Sequence, residues 1–314
     1  MARVIVVAGE ALIDLIVHPD GGVAAIPGGG PFNTARTIGR LGLEVAFLGR
    51  ISTDGFGRRQ AAELEADGVD LRWAPRTEAP TTLAIAELDD DGTAAYRFHL
   101  EGTAAVGLTL DEARAALADA PAAVHVGTLG LAVEPVATAI AAAVAELPRT
   151  TLLMVDPNCR AAVIADANAY VGRLHRSLGR ATIVKASVED LAYISPGTTP
   201  VDAARFLVAA GAGVVLITDG PRPVRVVASG VAFEVVVPPV KVVDTVGSGD
   251  AFGGAFLARW IERGHGRAGT QDEAALREAV TLAIEVAGIT GGRPGADPPR
   301  RADVPGWQVA VGMD

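Results

Sequence analysis

The chain has 314 residues, 50% of them hydrophobic, and a formal net charge of −10. That is apolar material for one large α/β domain or two small ones. The acidic balance excludes a surface built for nucleic acid or an anionic membrane, while a local anion site of backbone N–H groups and a few arginines stays open.

Arg3 to Ala8 is rich in β-branched residues and stops at Gly9, the pattern of a buried strand. This start is too short for a signal-peptide core, and charges or glycines interrupt every apolar run before it reaches membrane length. Cys159 is the only cysteine, so no intrachain disulfide forms. A cytoplasmic location is expected. Asn33–Leu41 reads as a helix with Ala35, Ile38 and Leu41 on one face. Val45–Leu48 follows as a strand, and Gly57–Asp67 as a helix stopped by Gly68. Thr81–Leu88 and Thr93–Leu100 alternate as strands around the turn Asp89-Asp90-Asp91-Gly92, which predicts a hairpin. Tyr96, Phe98 and Leu100 share one of its faces, Arg97 and His99 the other.

A strand–helix rhythm then resumes. Helices are expected at Asp111–Ala118, Pro135–Glu146 and Asp202–Ala210, and strands at Ala123–Val126, Thr151–Val155, Ile183–Lys185 and Val214–Thr218. Val224–Val227 and Phe233–Val237 read as a strand pair, and Ala251–Arg263 and Glu273–Ala287 as long helices. Such repetition predicts a mostly parallel sheet covered on both faces, with ligands beyond the carboxyl ends of its strands.

The most informative segment is Asp244-Thr245-Val246-Gly247-Ser248-Gly249-Asp250-Ala251-Phe252, preceded by the strand-like run Val235–Val243 and followed by a helix. Gly247 and Gly249 permit a tight turn that aims the N–H groups of residues 247 to 250 at one point, at the positive end of a helix dipole. That is an anion hole suited to a phosphoryl group in transfer. A carboxylate beside it makes sense as a base that takes the proton of an attacking hydroxyl. The competing reading of Asp250 is a helix cap, which would not by itself require Gly-Ser-Gly before it. A dinucleotide fingerprint through Gly247, Gly249 and Gly253 is disfavoured, because a helix occupies the stretch where the second strand should run. Neither Lys185 nor Lys241 follows a glycine, so there is no P-loop.

The segment closely resembles the C-terminal signature of the PfkB (ribokinase-like) carbohydrate kinases. Further blocks of that family stand in order: Gly9-Glu10-Ala11-Leu12-Ile13-Asp14, Gly28-Gly29-Gly30-Pro31-Phe32-Asn33-Thr34-Ala35, and Gly49-Arg50-Ile51-Ser52-Thr53-Asp54-Gly55-Phe56-Gly57. The resemblance implies a single domain over residues 1–314. Its fold would be a three-layer α/β sandwich with a small β-sheet lid from residues about 15–27 and 80–105. It implies phosphorylation of a sugar hydroxyl by ATP and Mg²⁺, in the manner of fructokinases. Ribokinase, 2-keto-3-deoxygluconate kinase and nucleoside kinase stand as alternatives, and a non-catalytic sugar or nucleotide sensor as one of another class.

By the same resemblance Asp14, Gly28, Gly29, Gly30, Asn33 and Phe98 belong to the sugar site. On their own residue chemistry, Asp14 also reads as a turn aspartate and Asn33 as an N-cap. Asp156-Pro157-Asn158-Cys159-Arg160 implies Arg160 as a phosphate clamp, against a surface salt bridge, with Cys159 incidental. Gly247, Ser248, Gly249 and Asp250 form the catalytic turn. Lys185, Thr218 and Gly220 fall to the nucleotide. Ser187, Glu189 and Asp190 would organise Mg²⁺, although serine and aspartate replace the family's asparagine and glutamate. In Thr218-Asp219-Gly220-Pro221-Arg222-Pro223, Pro223 replaces a glycine. Asp244, Val246 and Gly295, the last within Arg293–Asp297, would hold a monovalent cation such as potassium. A homodimer through the lid is expected, with no nucleic-acid or membrane partner.

Overall fold

In the first apolar run every side chain from Ile5 to Ala8 is buried, and the odd and even positions enter different cores. A strand buried on both faces belongs in the middle of a layered structure. The computed structural model describes residues 4–89 and 94–309. In chain order it holds β1 (Ile5–Ala8), β2 (Leu12–Val17), β3 (Val23–Gly28), α1 (Gly30–Arg40), β4 (Val45–Leu48), β5 (Ile51–Ser52), α2 (Gly55–Ala66), β6 (Val69–Asp70), β7 (Arg76–Thr77), β8 (Leu83–Leu88) and β9 (Ala94–His99). Then come α3 (Leu110–Leu117), β10 (Ala123–Gly127), α4 (Leu129–Ala132), α5 (Val136–Glu146), β11 (Leu152–Asp156), α6 (Ala167–Leu178), β12 (Ile183–Ser187), α7 (Val188–Ile194), α8 (Pro200–Ala209), β13 (Val214–Thr218), β14 (Val224–Ala228) and β15 (Val231–Val235). The helices α9 (Ser248–Glu262), α10 (Glu273–Gly291) and α11 (Pro305–Val309) follow.

The large sheet runs β15-β14-β13-β12-β11-β10-β1-β4-β6, parallel from β13 to β6 with β14 and β15 antiparallel at one edge. Helices α1, α2, α9 and α10 cover one face and α3 to α8 the other, which is the expected three-layer sandwich. From β1 the chain moves one way to β4, and from β10 the other way to β11, β12 and β13. Their carboxyl ends therefore diverge, and a crevice opens between them.

A second sheet, β3-β2-β8-β9, stands apart from the first. Its β8–β9 hairpin is the expected one, although Asp90, Asp91, Gly92 and Thr93 lie outside the described residues. Its other arm is wider than expected, since β2 and β3 pair from Leu12↔Gly28 to Val17↔Val23.

Three expectations are corrected. The run Val235–Val243 is not a strand: β15 ends at Val235, and Val236, Val240, Val242 and Val243 are exposed. Pro238 and Pro239 supply no N–H for a ladder, so the edge strand stops before them. Helix α1 starts at Gly30, with Pro31 in its first turn and Gly29 as N-cap. Asn33 therefore sits inside the helix and is not its cap. Likewise α9 starts at Ser248 and not at the expected Ala251, behind an N-cap of Gly247 with no side-chain cap, so the disfavoured cap reading of Asp250 falls away.

Helix α9 packs on both α1 and α10. Its Trp260 is fully buried and stacks on Phe256 at 5.4 Å between centroids. Trp260→Ala should lower the unfolding free energy by about 3–5 kcal/mol, read from the urea midpoint. A loss below about 1 kcal/mol would show that this layer does not hold α9 in place.

Candidate active site

The crevice between β1 and β10 continues into a cavity of ≈ 500 Å³. Its floor comes from the carboxyl ends of β1, β10, β11 and β12, through Glu10, Thr128, Asn158 and Lys185. One wall is the start of α1 (Gly29, Gly30, Asn33), and the opposite wall is the turn before α9 (Thr245, Val246, Gly247, Gly249, Asp250). The small sheet forms the roof with Leu12, Asp14 and Ile16 of β2, Ile26 of β3, Ala84, Ala86 and Leu88 of β8, and Tyr96 and Phe98 of β9. The Tyr96–Phe98 face of the hairpin is thus the inward one, while Arg97 pairs with Glu87 on the other side.

Asn33 Nδ2 donates to Asp250 Oδ2 at 2.9 Å. The turn that presents Asp250 needs Gly247, whose φ is +75° and where a Cβ would stand 2.5 Å from the Ala296 side chain. Ser248 N–H closes the turn on the Thr245 carbonyl at 3.3 Å, so it does not join the anion hole. Gly247, Gly249 and Asp250 are the N–H groups left at this helix start. The Ser248 hydroxyl is buried, faces Gly291 and does not line the cavity. Gly30 is equally constrained, since a Cβ there would stand 2.5 Å from Thr128 Oγ1, which accepts from Asn158 Nδ2 at 3.2 Å. Gly28 does not line the cavity; it gives room to the Asp14 carboxylate, 2.2 Å from where its Cβ would be.

Charge in the site is governed by burial. Burial lifts Asp250 to about 7, against the Asn33 hydrogen bond and with the help of Asp156. Asp14 rises to about 6, again by burial, with Arg160 pulling it down. Glu10 rises to about 8, although its carboxylate accepts N–H groups of Gly30 and Gly130 at 3.3 Å each. Lys185 is buried and paired with Asp156 at 3.0 Å. Burial opposes its charge, but Asp156, Asp190 and Asp250 outweigh burial and its pKa is raised. Arg160 is exposed at the mouth of the cavity and has no carboxylate among the described ion pairs, so the salt-bridge reading fails.

Several expected positions lie elsewhere. Ser187 and Asp190 form a reciprocal capping box at the start of α7. Both Asp190 oxygens are taken, one by Ser187 N–H at 2.8 Å and one by Cys159 N–H at 2.7 Å. Glu189 is exposed. Among the described residues no cluster of three His, Cys, Asp or Glu side chains is arranged for a metal. Thr218 and Gly220 lie at the end of β13, next to β12 and outside the cavity, where Thr218 pairs in register with Ser187. There Arg222 N–H closes the turn on the Asp219 carbonyl at 3.0 Å, and Pro223 needs no N–H. Asp244, Val246 and Gly295 do come together: Asp244 accepts from Val246 N–H at 2.9 Å and Gly295 N–H at 3.0 Å. Cys159 is inert, since burial pushes its thiol up to about 12 beside Tyr170.

The raised carboxyls make stability depend on pH. Glu10 and Asp250 hold protons in the folded chain at pH values where the unfolded chain has released them, so their contribution is lost as pH rises through about 7 and about 8. His125, buried and neutral with its pKa near 3, acts oppositely only below its ordinary value of 6.5. The ligand-free protein should therefore lose stability between pH 6.5 and 8.5 in denaturant titrations, and Glu10→Gln should flatten that slope. A flat wild-type profile would mean that both carboxyls ionise freely.

Residues 2–302 match the model of the pfkB family carbohydrate kinases. A fructokinase of Rhizobium leguminosarum bv. trifolii is 35% identical over 263 residues, covering 81% of this chain and 78% of its own length. A fructokinase double mutant of Vibrio cholerae, solved with fructose, ADP and a potassium ion, superposes with a TM-score of 0.82 at 25% identity over 94% of each chain. The ATP-bound fructokinase of Xylella fastidiosa shares the fold, with a TM-score of 0.90 at 24% identity over 99% of each chain. A match over nearly the whole length, with the family's glycine turn and aspartate facing one cavity, places the chain in the pfkB family of carbohydrate kinases.

Proposed function

We propose that the protein transfers the terminal phosphoryl group of ATP to a hydroxyl of a ketohexose such as fructose, with Asp250 as the general base. The observation that carries this reading is Asp250 in the cavity, held by Asn33 and standing in the first turn behind Gly247. The relatives named fructokinase support the choice of sugar.

The sugar lies between Asn33 and the Gly29–Gly30 backbone on one side and the roof, with Asp14 as its one carboxylate, on the other. Polar groups at the floor orient its hydroxyls, and Leu12, Ile16, Ala84, Ala86, Tyr96 and Phe98 keep water from the phosphoryl group. Asp250 accepts the proton of the attacking hydroxyl. The N–H groups of Gly247, Gly249 and Asp250 face the charge of the group in flight, and Arg160 and Lys185 offset it. The nucleotide extends from Lys185 toward Thr218 and Gly220 at the end of β13.

Mg²⁺ supplies charge neutralisation on the nucleotide phosphates when bound. It keeps much of its water shell in such sites, and exposed Glu189 is the best placed of Ser187, Glu189 and Asp190 to reach that shell. Ser187 and Asp190 act instead as a joint between α7 and the Asp156–Arg160 segment. Asp244, Val246 and Gly295 are the residues for potassium. The departures at Ser187, Asp190 and Pro223 leave the cavity intact, which speaks against a silent sensor. The single cysteine fits a reducing cytoplasm.

ADP release should be measured with fructose, ribose, 2-keto-3-deoxygluconate, tagatose and adenosine, with and without potassium. Fructose should give the highest kcat/KM, with activity lost as pH falls through about 7, where Asp250 takes up a proton. Asp250→Asn should lower kcat by at least about 100-fold with folding retained. Preference for another acceptor would reassign the substrate, and tight sugar binding without turnover would favour the sensor.

We also propose a homodimer through the small sheet. β3 and β9 are its edge strands, and Val23 and Tyr96 are exposed on them. Sedimentation should give twice the chain mass, and Val23→Lys should shift it toward monomer. A wild-type monomer at micromolar concentration would rule the dimer out.

A further inference from the structure

Two arginines of α1, one helical turn apart, share a single buried carboxylate. Arg36 Nε donates to Asp67 Oδ2 at 2.8 Å, and Arg40 Nε to Asp67 Oδ1 at 2.7 Å. The Asp67 side chain is 3% exposed, and Arg36 and Arg40 are 10% and 13% exposed. The remaining donors reach across to the segment after α10. Arg36 Nη1 donates to the Ala296 carbonyl at 3.3 Å, and Arg40 Nη1 to Asp297 Oδ1 and to the Pro298 carbonyl at 2.5 Å each. Ala296 in turn packs against Gly247, and the neighbouring Gly295 N–H donates to Asp244. The contacts form a ring: from α1 through 295–298 to the turn at 244–247, along α9 to Asp250, and back to α1 through Asn33.

We propose that Arg36 and Arg40, oriented by Asp67, are positioning residues for phosphoryl transfer: they press residues 296–298 onto the Gly247 turn and so hold the turn and Asp250 in register with Asn33. Neither arginine lines the cavity, so they act through the turn. The geometry needs guanidinium groups, because each bridges a carboxylate and a carbonyl in fixed directions, which a lysine does not. Asp67 stays buried because the planar cations of Arg36 and Arg40 meet its two oxygens, with Arg300 Nη2 adding a longer contact to Oδ1 at 3.5 Å. Burying these charges serves no core-packing purpose that apolar side chains would not serve as well. What it adds is a fixed spacing between the sugar-side helix and the turn on the phosphoryl side.

This inference rests on Asp250 as the base, and a double-mutant cycle separates the two claims. Arg40→Met should lower kcat by about 100-fold in the wild-type background, the scale of a displaced reacting group, with a smaller change in sugar KM. In the Asp250→Asn background the same substitution should cost less than about 3-fold, because the group it positions is already gone. Unchanged kcat, or an equal loss in both backgrounds, would overturn the proposal and leave the arginines a stabilising role only. If Arg40→Met does not fold, Asp297→Ala removes one exposed end of the clamp. It should lower kcat less, with the same dependence on Asp250, and no loss would overturn the proposal. Full turnover by Asp250→Asn alone would remove the base and leave the clamp to be judged by the kcat of Arg40→Met.

Discussion

The hydrogen bond from Asn33 Nδ2 to Asp250 Oδ2 joins residues 217 positions apart and ties the starts of α1 and α9 across the cavity. A carboxylate buried near the end of a parallel sheet is costly unless something compensates it. Here compensation is partial. The amide of Asn33 lowers the pKa of Asp250, burial and Asp156 raise it, and the balance falls near 7. A carboxyl poised there accepts a proton more readily than a free aspartate and is still ionised in much of the population at neutral pH.

The rest of the site keeps that balance. Lys185 at the floor is paired with Asp156 behind it, so the pair shapes the local field without filling the cavity with charge. Burial pushes the carboxyls of both Glu10 and Asp250 up, and each raises the cost of ionising a second carboxyl in the same site. Arg160, at the mouth and exposed, makes no direct ion pair among the described residues and acts on Asp14 and Asp250 only at longer range, so it is placed where an incoming anion needs it. The apolar roof raises the worth of each of these charges by excluding water from between them.

Much of this was legible in the residues. The strand–helix rhythm predicts the layered fold because periods of two and of about 3.6 leave different marks in an apolar pattern. The hairpin at Leu83–His99 is visible for the same reason, and the glycines at 28–30, 247 and 249 mark places where backbone must come close to something. What escaped was whatever depends on partners distant in the chain. Glu10 stands inside a recognisable block, yet nothing local says that its oxygens will meet Gly30 and Gly130. Val235–Val243 has the apolar content of a strand, but Pro238 and Pro239 cannot join a ladder. Arg36 and Arg40 are an ordinary i, i+4 pair until Asp67 and residues 296–298 arrive beside them.

The altered residues at Ser187 and Asp190 show how one segment can be read as metal ligands and fold as a joint. Aspartate is one methylene shorter than glutamate, which counts against it as a reaching ligand. As the third residue of a helix behind a serine cap, it need only fold back on its own turn, and its second oxygen is then free for Cys159 N–H. That bond fixes the main chain between Asp156, which pairs with Lys185, and Arg160, which faces the cavity. The position of Arg160 is therefore set by a buried carboxylate 30 residues further along the chain.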